Sequence, residues 1–599
     1  MDDGMGTPAY VHTFDYHQSG YYDRAEREDY GFAQVTTTRE DGSQVVTRYH
    51  NQDYYRRGLL AEVIEQDAEG RLYSREQVFY REPGAQPAVT GAFFPAERLR
   101  TTSWYEGKTT DPEAPGKQRS EERDWDALGN LVMLKEHGEP GTLEDDVTYT
   151  VHPVVYDGPY IVRAEGVEAR DSAGRLLRER TAKYSAVTGA VEWVTNTVIG
   201  GKEPETGAPY TGEASTNPTW HFFHDAFGNL SKAVDPRGYT IEYGYEDVAE
   251  TYLEWVKDSF GYEAESASDY RYGAVRWVKD VNGHEMHHER DAFGRLTAVF
   301  GPTDPITAAE ATISFDYALQ PGASVAAPAW ARTRHKDVLH PGDPIETVTF
   351  VDGLDRVIQT KKDLEKDQGP GVEPLVGMTV SGRVVFDERG RVVQQGQPVF
   401  DTGEATAFVE VALKHPIELD YDVLSRVIER REPDDEAGEA VTTTVYDLEE
   451  LDGATWFVAT EIDPNGKVRK AYQDVDNAIV AVEERNRLRG SDTWTTLVTR
   501  YGYNPLDELV RVTDARGNVT TAEYDTVGRM VALTSPDMGR TEWRYDLSGN
   551  VGARQTAKLR DESADKVIRY ESDASPHIVP RISRVTACSR STSPYAVMS

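Results

Sequence analysis

A short cassette recurs along the chain: an aromatic residue, Asp, two variable residues, Gly, Arg or Asn, and an aliphatic residue. The Asp carboxylate can bond the backbone two residues on and so start a tight turn. The Gly can adopt the positive φ that such a turn requires. Alternating apolar and polar residues flank the cassette on both sides, as in the two arms of a β-hairpin. The cassette therefore predicts a β-hairpin at each copy.

The predicted site residues are the repeat signature of these cassettes, and their predicted role is structural. No residue is assigned a catalytic, cofactor-binding or metal-binding role. The signature residues are Trp125, Asp126, Gly129, His224, Asp225, Gly228, Asp291, Gly294, Phe386, Asp387, Gly390, Tyr421, Asp422, Tyr503, Tyr524, Asp525, Gly528, Tyr545, Asp546 and Gly549. A more degraded copy is placed at Tyr472–Ala478.

A second turn alternates with the first, as in Asp463-Pro-Asn-Gly and Asp514-Ala-Arg-Gly. One repeat is then a strand, an Asp-Pro-type turn, a strand and a Tyr-Asp turn. Single hairpins cannot satisfy their edges, so the repeats are expected to pair side by side into one long twisted sheet. The predicted fold class is all-β, with tandem hairpins wound into a large curved β-shell, a partial cocoon. A set of separate β-sandwiches is the alternative.

The composition excludes several classes of protein. The chain has 65 basic and 103 acidic residues, so its net charge of −38 opposes binding to nucleic acid. No apolar run approaches the roughly 20 residues needed to span a bilayer, and the first residues show no recognisable Sec signal. The single cysteine, Cys588, permits no intrachain disulfide and no cysteine-based zinc cluster.

Some segments do not carry the repeat. Residues 108–122 and 200–218 are rich in Gly, Pro, Thr and Glu and are predicted to be surface loops. Residues 55–66 fit either a short helix or two strands. The tail after residue 570 has no cassette and is predicted to be disordered or aberrant.

One motif resembles a metal site. His284-Glu-Met-His-His288 satisfies the H-E-x-x-H pattern, which binds zinc when it lies on a helix. Here it lies in a predicted strand, where the outer histidines are about 13 Å apart, too far to share one zinc ion. The Asp-x-x-Gly turns lack the glutamate that ends an EF-hand loop. No metal or cofactor is therefore expected.

The cassettes resemble the YD repeats of the bacterial Rhs family, which includes the B and C components of insecticidal Tc toxin complexes and SpvB-related proteins. The stretches Gly20-Tyr-Tyr-Asp-Arg24 and Tyr54-Tyr-Arg-Arg-Gly-Leu-Leu60 are similar to the middle region of the Tc B component. This resemblance implies three parts. Residues 1–75 resemble that middle region, residues 76–570 form the YD-repeat shell with loop insertions, and residues 571–599 are the tail.

The resemblance also implies a function. In the family, the B and C components enclose a toxic effector and pass it to a channel. The expected partners are a C-type Rhs chain with its effector and the channel-forming A component, and the expected location is extracellular after a cytoplasmic stage. The family's β-propeller region and Rhs core signature are not found, so a truncated middle piece is expected.

Two other functions remain open from the residues alone. The first is a surface adhesin or carbohydrate-binding repeat protein that uses exposed Tyr and Trp side chains. The second is an enzyme whose site has no recognised motif. A structural role predicts that the repeat aromatics are buried or line a concave surface, whereas an adhesin predicts an exposed aromatic row.

Overall fold

The structure is a computed structural model. The described residues are 11–17, 20–81, 93–139, 146–155, 162–308, 310–318, 328–434, 438–487 and 493–570. The predicted aberrant tail, 571–599, lies outside them.

The described residues form strands almost throughout. In the first half the strands are β1 (Thr13–His17), β2 (Tyr22–Asp23), β3 (Glu28–Asp29), β4 (Gln34–Thr38), β5 (Gln44–Tyr49), β6 (Leu60–Gln66), β7 (Leu72–Tyr80), β8 (Glu97–Trp104), β9 (Lys117–Trp125), β10 (Leu131–His137), β11 (Val147–Val155), β12 (Val162–Asp171), β13 (Leu176–Tyr184), β14 (Val191–Asn196), β15 (Ile199–Lys202), β16 (Pro209–Thr211), β17 (Thr219–His224), β18 (Leu230–Val234), β19 (Thr240–Tyr245), β20 (Leu253–Asp258), β21 (Glu263–Asp269), β22 (Ala274–Lys279) and β23 (Glu285–Arg290). In the second half they are β24 (Leu296–Phe300), β25 (Ile313–Ala318), β26 (Ala329–His335), β27 (Ile345–Val351), β28 (Val357–Lys366), β29 (Leu375–Val380), β30 (Val384–Phe386), β31 (Val392–Gln395), β32 (Val399–Asp401), β33 (Ile417–Tyr421), β34 (Val427–Asp434), β35 (Gly438–Leu451), β36 (Ala454–Ile462), β37 (Val468–Gln473), β38 (Ile479–Arg487), β39 (Trp494–Tyr503), β40 (Leu509–Thr513), β41 (Val519–Tyr524), β42 (Met530–Ser535), β43 (Gly539–Tyr545), β44 (Val551–Gln555) and β45 (Ile568–Arg569).

Helices are scarce among the described residues. One 3-10 helix spans Ala214–Thr216, and one α-helix, α1, spans Ala557–Glu562. The strands form two large antiparallel sheets, sheet 1 of 26 strands and sheet 2 of 15 strands, plus two small hairpins. The predicted fold class, all-β with tandem YD-type hairpins, is confirmed.

The chain divides into two compact units. Unit 1 contains residues 1–146, 243–257 and 262–498, and unit 2 contains residues 147–242, 258–261 and 499–599.

In unit 1, the strands of sheet 1 run as antiparallel neighbours in two series. The first is β1 paired with β4 and then β4 to β10, and the second is β20 to β29 followed by β32. Sheet 2 contributes β30, β31 and β33 to β38.

Unit 2 repeats this plan on a smaller scale. Strands β11 to β14 and β17 to β19 follow one another in sheet 1, and β39 to β45 follow one another in sheet 2. Strands β15 and β16 form a separate small hairpin.

Most strand residues are only half-buried, so the apolar core is divided into small clusters. Val46, Ile64, Leu72 and Tyr105 form one cluster in unit 1. Val147, Ala169 and Leu177 form another in unit 2. Between the clusters, ion pairs across neighbouring strands hold the register, as between Lys279 and its partner Glu265, whose charged atoms lie 2.6 Å apart.

Three segments that the sequence analysis predicted as loops or left undecided contain strands. Residues 117–122, predicted as part of a loop, lie in β9, and the predicted loop at 200–218 contains most of the β15–β16 hairpin. Each loop prediction holds for the residues outside these strands, such as 108–116, and was wrong within them, because Gly- and Pro-rich composition also suits short paired strands at tight turns. The segment 55–66, left open by the sequence, is a turn followed by β6.

Candidate functional site: the repeat turns

Each cassette places one carboxylate over a tight turn. At Asp525, the oxygen Oδ1 accepts from the backbone N–H groups of Val527 and Arg529, at 3.1 and 3.0 Å. The other oxygen, Oδ2, accepts from Nε of Arg529 at 2.7 Å. The N–H of Gly528 donates to the carbonyl of Asp525, and Gly528 has a φ of +85°. One Asp side chain therefore satisfies the turn's free backbone donors and fixes the following Arg.

The Asp-Pro-type turns have the same geometry. Asp514 accepts from the backbone and from the side chain of Asn518, each at 2.8 Å. These hydrogen bonds, with the side-chain bond from Asn518 as the main cause, lower the pKa of the Asp514 carboxyl. The two turn types predicted from the sequence are thus one structural device.

Degraded cassettes keep the turn without its glycine. Asp355, Ser425, Asn477 and Asp507 hold the glycine position with φ between +58° and +66° in the left-handed region. Side chains rarely adopt this region, at a cost of about 1–2 kcal/mol. The surrounding strand pairing therefore outweighs local backbone strain at these four positions.

The Arg of one cassette reaches the aromatic residue of the next repeat. The guanidinium of Arg391 lies 4.5 Å from the ring centroid of Tyr421, and that of Arg529 lies 5.0 Å from Tyr545. Arg356 lies over the ring of Phe386 at 4.2 Å. Cation–π contacts of this kind stabilise by about 0.5–2 kcal/mol each.

The tyrosine hydroxyls add a second link in the same direction. Tyr421 donates to the carbonyl of Val392 at 2.7 Å, and Tyr545 donates to the carbonyl of Met530 at 2.8 Å. Tyr524 donates to Leu509 at 3.1 Å. Each acceptor is the first residue of the preceding hairpin's return strand. Consecutive repeats are therefore connected: the Asp of a cassette holds its Arg, and that Arg contacts the aromatic residue of the next cassette.

In unit 1, turns of sheet 2 dock on sheet 1. Arg426 donates through both terminal nitrogens to the buried carboxylate of Glu106, and through Nε to Asp422 at 2.7 Å. Arg389 donates to Asp41 at 3.1 Å and to Ser43 at 2.8 Å. Charged side chains at the repeat turns thus join the two sheets.

In unit 2, the contact is partly apolar. Leu506 packs against a buried cluster formed by Val147, Ala169 and Leu177, with Tyr149 beside it. Close by, Arg178 pairs with Glu508 and donates to the carbonyl of Asp525 at 3.2 Å.

The β15–β16 hairpin fastens further turns of unit 2. Ile199 and Thr526 exchange hydrogen bonds of 2.7 and 3.0 Å, and Tyr210 donates to the carbonyl of Tyr545 at 2.8 Å. Lys202 pairs with Glu542 at 3.1 Å. The sequence analysis missed this hairpin, although the turn-forming stretch between its two short strands was a usable signal.

The structure places the predicted signature residues at turns of both large sheets. Those of sheet 1 lie between β9 and β10, β17 and β18, and β23 and β24, and include Trp125, His224 and Asp291. Those of sheet 2 lie between β30 and β31, β33 and β34, β39 and β40, β41 and β42, and β43 and β44. Arg391 connects the Phe386 cassette with Tyr421, and Arg529 connects the Tyr524 cassette with Tyr545.

One degraded copy is shifted by a residue. The turn assigned to Tyr472–Ala478 is centred on Asp474, whose Oδ1 accepts from Asp476 and Ala478. Asn477 occupies the glycine position. The aromatic position therefore falls on Gln473, and Tyr472 points into the core instead, with 3% of its surface exposed.

The H-E-x-x-H motif lies on a strand, as predicted. Glu285–Arg290 form β23, and His284 belongs to the preceding turn, where it bonds Asp280. Burial, followed by the charges of Arg290 and His287, lowers the pKa of His288. Within the described part of the chain, no group of three His, Cys, Asp or Glu residues is arranged to hold a metal ion. A search of the same residues finds no helix of sufficient length and apolarity to cross a membrane.

Two family models match the chain. Residues 503–537 match the RHS Repeat, and residues 1–62 match the insecticide toxin TcdB middle/N-terminal region. A search of curated protein sequences gives no significant match.

Solved structures of toxin components share the fold. The crystal structure of TcdB2–TccC3 has a TM-score of 0.70 and 14% identity, and the match covers 94% of this chain and 37% of that one. The same complex without its hypervariable C-terminal region has a TM-score of 0.70 and 13% identity, and the match covers 94% of this chain and 39% of that one. The Tc holotoxin pore of Photorhabdus luminescens has a TM-score of 0.70 and 13% identity, and the match covers 94% of this chain and 38% of that one. The chain thus spans less than two fifths of the matched chains.

The turns, the strand pairing and these matches together define the class: an all-β hairpin-repeat protein that matches the RHS Repeat over residues 503–537 and shares its fold with Tc toxin components. Within that class it is similar in particular to the TcdB component of insecticidal Tc toxins, as the sequence analysis predicted.

Proposed function

We propose that this chain is a structural shell segment of a Tc/Rhs-type toxin, which encloses a toxic effector before translocation and catalyses no reaction itself. The observation that carries the proposal is that the cassette residues make structural contacts within and between the hairpins. Asp525, Arg529 and Tyr545 are engaged in fixing a turn and in tying it to the next hairpin. The fold shared with TcdB2–TccC3 supports the same role.

A wall of paired strands suits this role physically. In the part of the chain that the structure describes, the interior strands of the two large sheets have a hydrogen-bonded neighbour on each side, so few of their backbone groups are left to pair with an unfolded cargo. The cation–π contacts and phenol bonds between repeats resist local opening of the sheet. Such a wall would keep an effector away from proteases and from its own targets.

The partners and location follow from the same proposal. The partners are a C-type Rhs chain with its effector and the channel-forming A component, and the chain acts outside the producing cell after a cytoplasmic stage. Residues 1–75 are proposed to form a segment like the Tc B-component middle region, and residues 76–570 to form the shell.

An adhesin is less well supported. The repeat aromatics Tyr421, Tyr524 and Tyr545 are half-buried and donate their hydroxyls to backbone carbonyls. They do not form the exposed aromatic row that carbohydrate stacking requires. A glycan array with the purified chain tests this alternative directly, and binding above background would restore it.

The decisive experiment is co-expression with a C-type Rhs chain that carries its effector. The two chains are expected to co-purify, and the effector is expected to be digested by protease at least tenfold more slowly than when this chain is omitted. Digestion at the same rate with and without this chain would overturn the proposal.

A pair of variants tests whether the repeat links matter. Tyr524→Phe combined with Tyr545→Phe removes two phenol bonds and keeps both rings, and it is expected to shorten effector protection. Tyr22→Phe, at an exposed phenol, is the matched control and is expected to leave protection unchanged.

A further inference from the structure

The second residue between the Asp and the Gly of a cassette, called the tip residue here, has a consistent environment in sheet 2. Arg389, Leu424, Asp476, Leu506, Val527 and Ser548 occupy this position. All six are buried or half-buried. Tight turns normally project into solvent, so this burial needs a partner surface.

The partner surface is a strand or turn of sheet 1 within the same unit. Leu506 enters the aliphatic cluster of Val147, Ala169 and Leu177. Ser548 donates to Asp235 at 2.7 Å. In unit 1 the tip residue Arg389 binds Asp41 and Ser43. The tip residue is therefore the docking residue by which a repeat turn attaches to another sheet.

In three cassettes of sheet 1 the same position carries a large apolar side chain that is exposed. Leu128 is 60% exposed, Phe227 is 67% exposed and Phe293 is 82% exposed. The turns of Phe227 and Phe293 both read Asp-Ala-Phe-Gly, with the glycine φ at +91° and +83°. Their Asp residues accept the same two backbone hydrogen bonds as Asp525 does.

Turn chemistry does not explain a phenylalanine at this position. Ser548 and Asn282 occupy it in other turns of the same geometry. An exposed phenyl ring forgoes roughly 1.5–3 kcal/mol of burial free energy, which a partner surface would recover.

We propose that Phe293 and Leu128 in unit 1 and, independently, Phe227 in unit 2 are docking residues for the strand face of another Rhs-repeat chain. The partner chemistry follows from the Leu506 site: an aliphatic patch on paired strands, with a charged residue at its margin. Beside Leu506 the turn offers Glu508 and receives Arg178. Beside Phe293 the turn carries Arg295, which pairs with Asp291 and whose guanidinium lies 5.3 Å from the ring, and a carboxylate of the partner would join this ion pair.

A second copy of this chain is the wrong occupant. Its own aliphatic patch at Val147, Ala169 and Leu177 already holds Leu506. A net charge of −38 also opposes self-association. This inference rests on the proposed function, which supplies the class of the partner, a C-type Rhs chain.

The test measures binding of the full chain to a C-type Rhs chain from the same genome. Phe227→Ser and Phe293→Ser are each expected to raise the Kd at least tenfold and to leave thermal stability unchanged, because both rings are exposed. Asn282→Ser, at the tip of a neighbouring turn with no apolar residue, is the matched control and is expected to leave the Kd unchanged.

The outcomes separate this inference from the proposed function. If the unchanged chain does not bind the C-type chain, the proposed function and this inference both fail. If it binds and the two Phe variants bind equally well, only this inference fails. If the Phe variants instead convert a self-associated form of the chain into a monomer in sedimentation, the occupant is a second copy and the proposal is overturned.

Discussion

Arg426 and Glu106, 320 positions apart in the sequence, form a two-point ion pair in unit 1 that joins a repeat turn of sheet 2 to the turn between β8 and β9. The side chain of Glu106 is 2% exposed, and the residue adopts a φ of +50°. The same guanidinium lies 4.1 Å from the ring centroid of Tyr446. A carboxylate this buried depends on its cation, because an unpaired charge there is costly.

Removal of the cation is expected to be worse than removal of the anion. Arg426→Leu leaves Glu106 buried without its partner and should lower the free energy of unfolding by about 3 kcal/mol. Glu106→Gln leaves Arg426 paired with Asp422 and should cost about 1 kcal/mol. Urea unfolding of the two variants and of the double variant measures the coupling. Equal effects of the two single changes would contradict this account.

Substitutions at the glycine position of the turns should change stability in opposite directions, depending on whether glycine is introduced or removed. Asp355 holds a φ of +61°, so Asp355→Gly should relieve strain and raise the free energy of unfolding by about 1 kcal/mol. Gly549 has a φ of +91° with open space around it, so Gly549→Ala should cost about 1–2 kcal/mol through the backbone alone. Thermal unfolding of both variants tests the two signs. A destabilised Asp355→Gly would show that its carboxylate has a role beyond the turn.

The turn chemistry was predictable because it is local. Asp, Gly and Arg act within five residues of each other, so the bonds around Asp525 follow from spacing alone. The same local reasoning misplaced the copy near Tyr472, because an aromatic residue next to the turn outweighed the Asp that forms it. Spacing from Asp463 gives 11 residues when counted to Asp474, as in the better copies.

The contacts between sheets were not predictable in this way. Arg426 meets Glu106, and Thr526 meets Ile199, across more than 300 positions, and neither pair has a local pattern. The tip residues Leu506 and Phe227 also look alike in sequence, as apolar residues in a turn. Only the pairing of strands separates the docked residue from the exposed one.

The phenol of Tyr472 predicts a loss of stability at high pH. Burial, then the charges of Glu483 and Glu449, raises its pKa to about 12. Folding therefore favours the protonated phenol. This contribution is complete below the ordinary pKa of about 10 and is lost as the pH rises from about 10 to about 12. Tyr472→Phe should make the unfolding free energy less dependent on pH in that range, as followed by urea unfolding at a series of pH values. The exposed-site variant Tyr22→Phe should keep the wild-type dependence.

Lys361 is a buried cation whose removal should loosen one segment. Its side chain is 0% exposed, and Nζ donates to Asp401 at 2.8 Å and to the carbonyls of Glu404 and Ala407 at 2.8 and 3.2 Å. Lys361→Met leaves these three acceptors without their donor and should lower the free energy of unfolding by about 3 kcal/mol. Lys362→Met, one position along the same strand and exposed, should change it by less than about 0.5 kcal/mol. Amide hydrogen exchange should accelerate over residues 402–411 in the first variant and not in the second, because the lysine ties that segment to β28. Unchanged exchange there in Lys361→Met would mean that the neighbouring bonds of Gln359 to Val409 hold the segment by themselves.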